Sequence, residues 1–337
     1  MILRPQSLSR HSGLFPGATT AAQEARVPSW LRRAVSDKQG LAGKGVEEIA
    51  LLAGGAIATL DTVVRGQERW AGAWRQRLAL SAAALAARQA GRVEDEPALR
   101  DALLLTRQGD DVGPAGRILS AWRRLAATPA DKLLSEASVR AVMDNFGLAY
   151  DGGNMSCLTD DLRHLSADDG MVAMMTRAFA VAEQYGLGRA LGAWLADALL
   201  AQRLVWTHAV PLLGAEAALG TTRSRRPVAA GLPQADDAEA GRTKSLLAAQ
   251  ARAALRAIDL STELGRCADK LLAVAPKLRA KASDAVVERL LSDDAVIASE
   301  KIAGMSDRGL RRLFDRLMEL GAVRELSGRS TFRVYGL

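Results

Sequence analysis

A chain of 337 residues, 49% of them hydrophobic, is long enough for one large domain or two unequal ones, and this composition excludes disorder throughout. Lys and Arg number 45 against 38 Asp and Glu, a formal charge of +7 that favours anionic partners. Aromatics make up only 4%, and recurrent Ala, Leu and Arg suit helices better than a sheet-rich fold.

Residues 1–45 read as a mobile basic arm, with Pro5, Gly13, Pro16 and Gly17 interrupting any continuous apolar region of a secretory signal. The longest apolar runs, 49–60 and 78–87, fall short of the ~18 residues that suggest a membrane span, so no membrane contact is expected. Cys157 and Cys267 are too far apart in sequence for a disulfide framework or a zinc spacing, which favours a reduced, cytoplasmic chain.

Apolar residues at three- and four-residue steps predict helices over 46–64 and 70–90. In the first of these, Gly54 and Gly55 each cost about 1 kcal/mol relative to Ala, so their small size is expected to serve close helix packing. Further helices are predicted over 97–106, 115–126, 135–145, 169–185, 189–206 and 244–274. Asp95 and Glu96 before Pro97, and Gly113 before Pro114, supply helix starts; Asp151 to Asn154 supplies a turn. The polar segment 221–241 is expected to be a long loop. Residues 46–278 thus read as an all-helical, bundle-like body.

Periodicity changes near the C-terminus. A helix over 285–291, a short helix over 299–303, a turn at Gly304 and Met305, and a helix over 307–320 are followed by two β-prone runs, 323–326 and 331–335, separated by Ser327 and Gly328. That order predicts a winged helix-turn-helix with a small β-hairpin over 279–337. The fold class is therefore mainly α, with this module at its end.

The helix 307–320 carries Leu310, Leu313, Phe314, Leu317 and Leu320 on one stripe. At 100° per residue Arg308 and Arg312 lie opposite it, with Arg311 and Arg316 on the flanks; Asp315 and Glu319 come further along the outer face. A recognition helix reads base edges mainly from its N-terminal residues, so this polarity suits contact with double-stranded DNA. Arg324, Arg329 and Arg333 place further charge on the hairpin, where a wing meets backbone or minor groove.

The ending "MSDRGLRRLFDRLMELGAVRELSGRSTFRVYGL" resembles that of an uncharacterised bacterial family, domain of unknown function number 1403, as do the stretches 72–126 and 271–296. The resemblance spans most of the chain after the arm and implies no reaction, substrate or catalytic residue. The segment "LMELGAVRELSGRSTFRVY" also resembles the winged-helix tails of some nucleotidyl-transferring Fic proteins, whose His-Pro-Phe and Gly-Asn-Gly-Arg motif this sequence lacks.

Elsewhere the chemistry is sparse. His11, His164 and His208 are too scattered for a local metal or nucleophile motif, and "GLGRALG" at 186–192 has the wrong spacing for a dinucleotide fingerprint. Trp70, Trp74, Trp122, Trp194 and Trp206 fall in helical patterns and read as packing residues. Glu94, Asp95, Glu96, Asp101, Asp110 and Asp111, with Arg92, Arg100 and Arg117, form the best acidic group for acid–base or metal chemistry, provided they converge. Arg223, Arg225 and Arg226 in the polar segment offer a second phosphate contact.

The leading expectation is a non-enzymatic, DNA-associated protein, a transcriptional regulator that pairs with a second copy of itself and needs no cofactor or metal. The alternatives are an enzyme with its site around Glu94 to Arg117, and a scaffold that docks proteins on its winged helix. Residues 1–45 hold seven basic and two acidic residues and 301–337 hold eight and four, so the basic excess lies at the ends.

Overall fold

The computed structural model describes residues 27–107, 109–150, 152–168, 170–216, 235–278, 282–329 and 331–337. These contain fourteen α-helices and three short strands. The N-terminal helices are α1 (Ser29–Ser36), α2 (Lys38–Gly43), α3 (Val46–Gly66), α4 (Ala71–Gln89), α5 (Glu96–Leu104), α6 (Gly113–Ala127) and α7 (Ala130–Leu133). They are followed by α8 (Glu136–Phe146), α9 (Gly152–Asp168), α10 (Met171–Gln184), α11 (Gly188–Arg203) and the long α12 (Ala235–Val274). The C-terminal elements are α13 (Ser283–Ser292), β1 (Val296–Ile297), α14 (Asp307–Glu319), β2 (Arg324–Glu325) and β3 (Val334–Gly336).

Helix boundaries follow local chemistry. Asp95 caps α5 by accepting from the Ala98 N–H at 3.0 Å, and Ser135 caps α8. Gly147, at φ 69°, closes α8 in the left-handed conformation that glycine adopts without steric cost. The body packs mainly as pairs: α3 along α12, α10 on α11, and α4 on α6. Trp74, Trp122 and Trp194 are fully buried, and two of them satisfy their indole N–H on backbone carbonyls, Trp74 on Ala257 at 2.8 Å and Trp194 on Ala121 at 3.0 Å.

Within the segment expected to be an arm, 29–36 and 38–43 are helical: α1 buries Leu31 and Val35, and Arg32 binds Asp259 of α12. Helix α12 begins at Ala235, so the end of the expected 221–241 loop is helix; 217–234, with Arg223, Arg225 and Arg226, lie outside the described residues. Helix α9 occupies a stretch with no predicted helix, beginning inside the expected 151–154 turn. Its polar composition gives it only a weak amphipathic pattern.

Among the described residues, Gly54 and Gly55 do not mediate close packing. A β-carbon on Gly54 would meet nothing within 4 Å, and one on Gly55 would make only ordinary contact with Leu31 at 3.6 Å. Helix α3 is long and apolar enough to cross a membrane, with a mean hydropathy of 1.4 over an 18-residue window. Its inner residues Ile49, Leu52, Ala53, Ala56, Ile57 and Leu60 are nevertheless buried in the protein core.

The C-terminal elements form one small sheet in the order β1-β3-β2, both pairings antiparallel, with Val296 opposite Tyr335 and Arg324 opposite Gly336. Strand β1 was not foreseen, and the short helix expected over 299–303 is absent: turns at 298–299 and 303–304 take its place. The Glu300 N–H donates to Ile297 O at 3.1 Å and Met305 N–H to Ile302 O at 3.1 Å, two separate tight turns in place of a helical ladder.

Candidate nucleic-acid interface

Ser306 starts α14, its hydroxyl accepting from the Gly309 N–H at 3.2 Å. Leu310, Leu313, Phe314 and Leu317 are buried, while Leu320, expected on the same stripe, lies beyond the helix end and is 40% exposed. The buried face is anchored on the sheet, where the Phe314 ring stacks on Tyr335 with centroids 4.2 Å apart and planes 5° from parallel.

This anchoring turns the opposite face outward. Arg308, Arg311, Arg312 and Arg316 are all exposed. Arg316 pairs with Glu319 at 3.0 Å, whereas Arg308, Arg311 and Arg312 make no ion pair among the described residues. The basic end of α14 is thus its N-terminal half, while Asp315, Arg316 and Glu319 give the C-terminal half mixed charge.

The hairpin arginines are placed differently. Arg324 reaches Glu263 of α12 and the carbonyl of Leu337, both at 3.3 Å. Arg329 donates to Asp101 of α5 at 2.6 Å. Arg333 lies 3.8 Å from Glu325 and 4.0 Å from Asp315, and the neighbouring Tyr335 hydroxyl, Glu325 and Asp315 hold it above the ordinary arginine value. Of the seven arginines expected to meet DNA, three are unpaired within the described residues and four serve internal pairs. Asp101 and Glu263 were missed as partners because they lie 228 and 61 residues away in sequence.

The module is fastened to the body by charge as well as by packing of α13 on α4. Asp294, buried just before β1, is bound by Arg77 and by Arg100, the latter at 2.5 Å. Asp293 accepts from Arg123 at 2.6 Å. Burial pushes the Asp294 carboxyl up, but Arg77 and Arg100 outweigh it and leave the group below the ordinary carboxylate value.

The acidic group around α5 does not converge. Glu94 pairs with Arg92, Asp95 caps α5, Glu96 accepts from Ser81 at 2.7 Å, Asp101 takes Arg329, and Asp111 takes Arg117 at 2.7 Å. Among the described residues, no group of three or more His, Cys, Asp or Glu is placed to hold a metal ion. An open cleft of about 900 Å³, lined in part by Phe179, Arg189 and Arg242, lies between α10, α11 and α12.

No curated protein matches the chain. A family model described as "Protein of unknown function (DUF1403)" matches residues 17–337, nearly the whole length. The chain belongs to this family.

Proposed function

We propose that the protein binds double-stranded DNA through α14 and acts as a transcriptional regulator, its C-terminal module being a winged helix in which α14 is the recognition helix and the β2–β3 hairpin the wing. The observation that carries this reading is the exposed, unpaired cluster of Arg308, Arg311 and Arg312 on the N-terminal half of a helix whose other face is fully packed. Base edges are read from that end of such a helix, and the planar guanidinium fork suits both phosphate and guanine. The element order from α13 to β3, with the sheet order β1-β3-β2, supports the winged-helix assignment.

The Arg308 and Arg312 face is exposed rather than packed against the body, which leaves it accessible to a duplex. The test is binding of the full chain to duplex DNA across a salt series, comparing wild type with R308E/R312E. Two lost phosphate contacts are expected to weaken binding by at least about tenfold and to lower the slope of log K against log salt by about two. Equal affinity and equal slope in the two proteins would overturn the assignment.

A further inference from the structure

We propose that the outer face of α3 is a homodimer interface on which two copies of the chain pair their α3 helices antiparallel. Gly54 of α3 lies far from the arginines of α14 in sequence and has no part in the candidate DNA-binding face. That glycine sits in the middle of a 21-residue helix, yet no described residue approaches within 4 Å of where a β-carbon would lie. A glycine there costs about 1 kcal/mol relative to Ala, and nothing within the described chain uses its small size. Two α3 helices approaching closely would use it.

The residues around it form a self-complementary pattern. Glu47, Gly54, Ala58 and Arg65 are all exposed and lie within about 20° of one line along the helix, at 100° per residue. Their spacing is symmetric about Ala56. An antiparallel copy therefore sets Gly54 against Ala58 of the second copy at the crossing point, and Glu47 against Arg65 of the second copy at both ends. Both charged ends are suitable: Glu47 has no ion pair among the described residues. Arg65 uses Nε on Asp61 at 2.7 Å and one Nη on the Leu204 carbonyl at 2.9 Å, which leaves its other Nη available.

The apolar surface falls on one side of that line. Leu51 is 69% exposed and Trp30, whose ring reaches the edge of Gly55, is 54% exposed. Two-fold symmetry brings Leu51 beside Thr62 of the second copy and both Trp30 rings to the same side of the contact. Isologous pairing of this kind closes after two copies, giving a dimer rather than a filament.

Light scattering coupled to size exclusion tests the proposal on the full chain over a range of concentrations. The mass is expected to rise from 35.8 kDa towards twice that value. Because Leu51 is exposed, L51E leaves the fold intact and is expected to raise the dimer dissociation constant at least tenfold. E47R, which faces Arg65 across the contact, is expected to do the same, and added salt is expected to weaken the wild-type dimer more than an E47Q dimer. A mass fixed at 35.8 kDa at every concentration would overturn the proposal, as would a dimer that L51E leaves unchanged. Flotation of a monomeric wild type with anionic phospholipid vesicles, abolished by L51E, would overturn it too and assign the face to a lipid surface.

Discussion

Arg100 of α5 binds Asp294 at 2.5 Å, both side chains buried and 194 residues apart, and this contact joins the first third of the chain to the last. Arg77 closes on the same carboxylate from α4. The candidate DNA-contacting helix is therefore held in fixed relation to the helical body by ions shielded from solvent.

Asp294→Asn removes one charge and leaves two guanidinium groups uncompensated, a change that costs about 3–5 kcal/mol when the pair is buried. Because the Asp294 carboxyl sits below its ordinary value, its contribution is present above the unfolded-state pKa near 4 and is lost as pH falls through the lower folded value. Wild type should lose stability on acidification below about pH 4, and the variant should lose less. Thermal unfolding followed by circular dichroism at pH 2.5 to 7 measures both; a variant as stable as wild type at pH 7 contradicts the prediction.

Asp197, fully buried in α11, behaves with the opposite sign. It accepts backbone N–H donors from Leu212 at 2.8 Å and Leu213 at 3.1 Å, yet burial outweighs these bonds and pushes the carboxyl up to about 8. A carboxyl raised in the folded state stabilises fully below its unfolded value and loses that contribution as pH rises through about 8. Stability should therefore fall between about pH 4 and 8 by a few kcal/mol from this group, of order 1.4 kcal/mol for each pH unit, and level off above. Asp197→Asn, neutral throughout, should flatten the profile in urea titrations at those pH values.

Gly72 in α4 lies against the backbone of Ser292, where an added β-carbon would approach the carbonyl oxygen to 2.6 Å. Backbone cannot swing aside as a flexible side chain does, so Gly72→Ala should force α13 away from α4 and destabilise by roughly 1–3 kcal/mol. Chemical denaturation reads the stability, and faster amide exchange in 283–297 would locate the strain at the seam. Unchanged exchange there would place the strain elsewhere.

The Arg329–Asp101 pair is partly exposed, at 39% and 30% for the two side chains. Such pairs contribute about 0–1 kcal/mol, so Asp101→Ala should leave stability nearly unchanged. It should also release Arg329, raising DNA affinity a few-fold and steepening the salt dependence by about one counterion. Arg329→Ala should leave wild-type binding almost unaltered, since that arginine is already engaged. Fluorescence anisotropy with a labelled duplex distinguishes these outcomes.

What the sequence alone determined was local and periodic. Helices with apolar stripes and clear caps, such as α5, α8 and α14, are legible because side-chain spacing and capping act within a few residues. The exposed arginines of α14 are legible for the same reason: once Leu310, Leu313, Phe314 and Leu317 point inward, Arg308 and Arg312 must point outward. Family membership followed from the residues themselves.

Tertiary structure decided everything that depends on partners distant in sequence. Only the fold shows that Arg329 and Arg324 are engaged by Asp101 and Glu263, that the acidic residues near α5 disperse into separate pairs, and that β1 pairs with β3 to complete a three-stranded sheet. Only the fold shows that no described residue packs against Gly54. The physical reason is common to these cases: ion pairing, strand pairing and close packing are set by distances in space, and a hydrophobic period encodes which face of a helix is buried but not what lies against it.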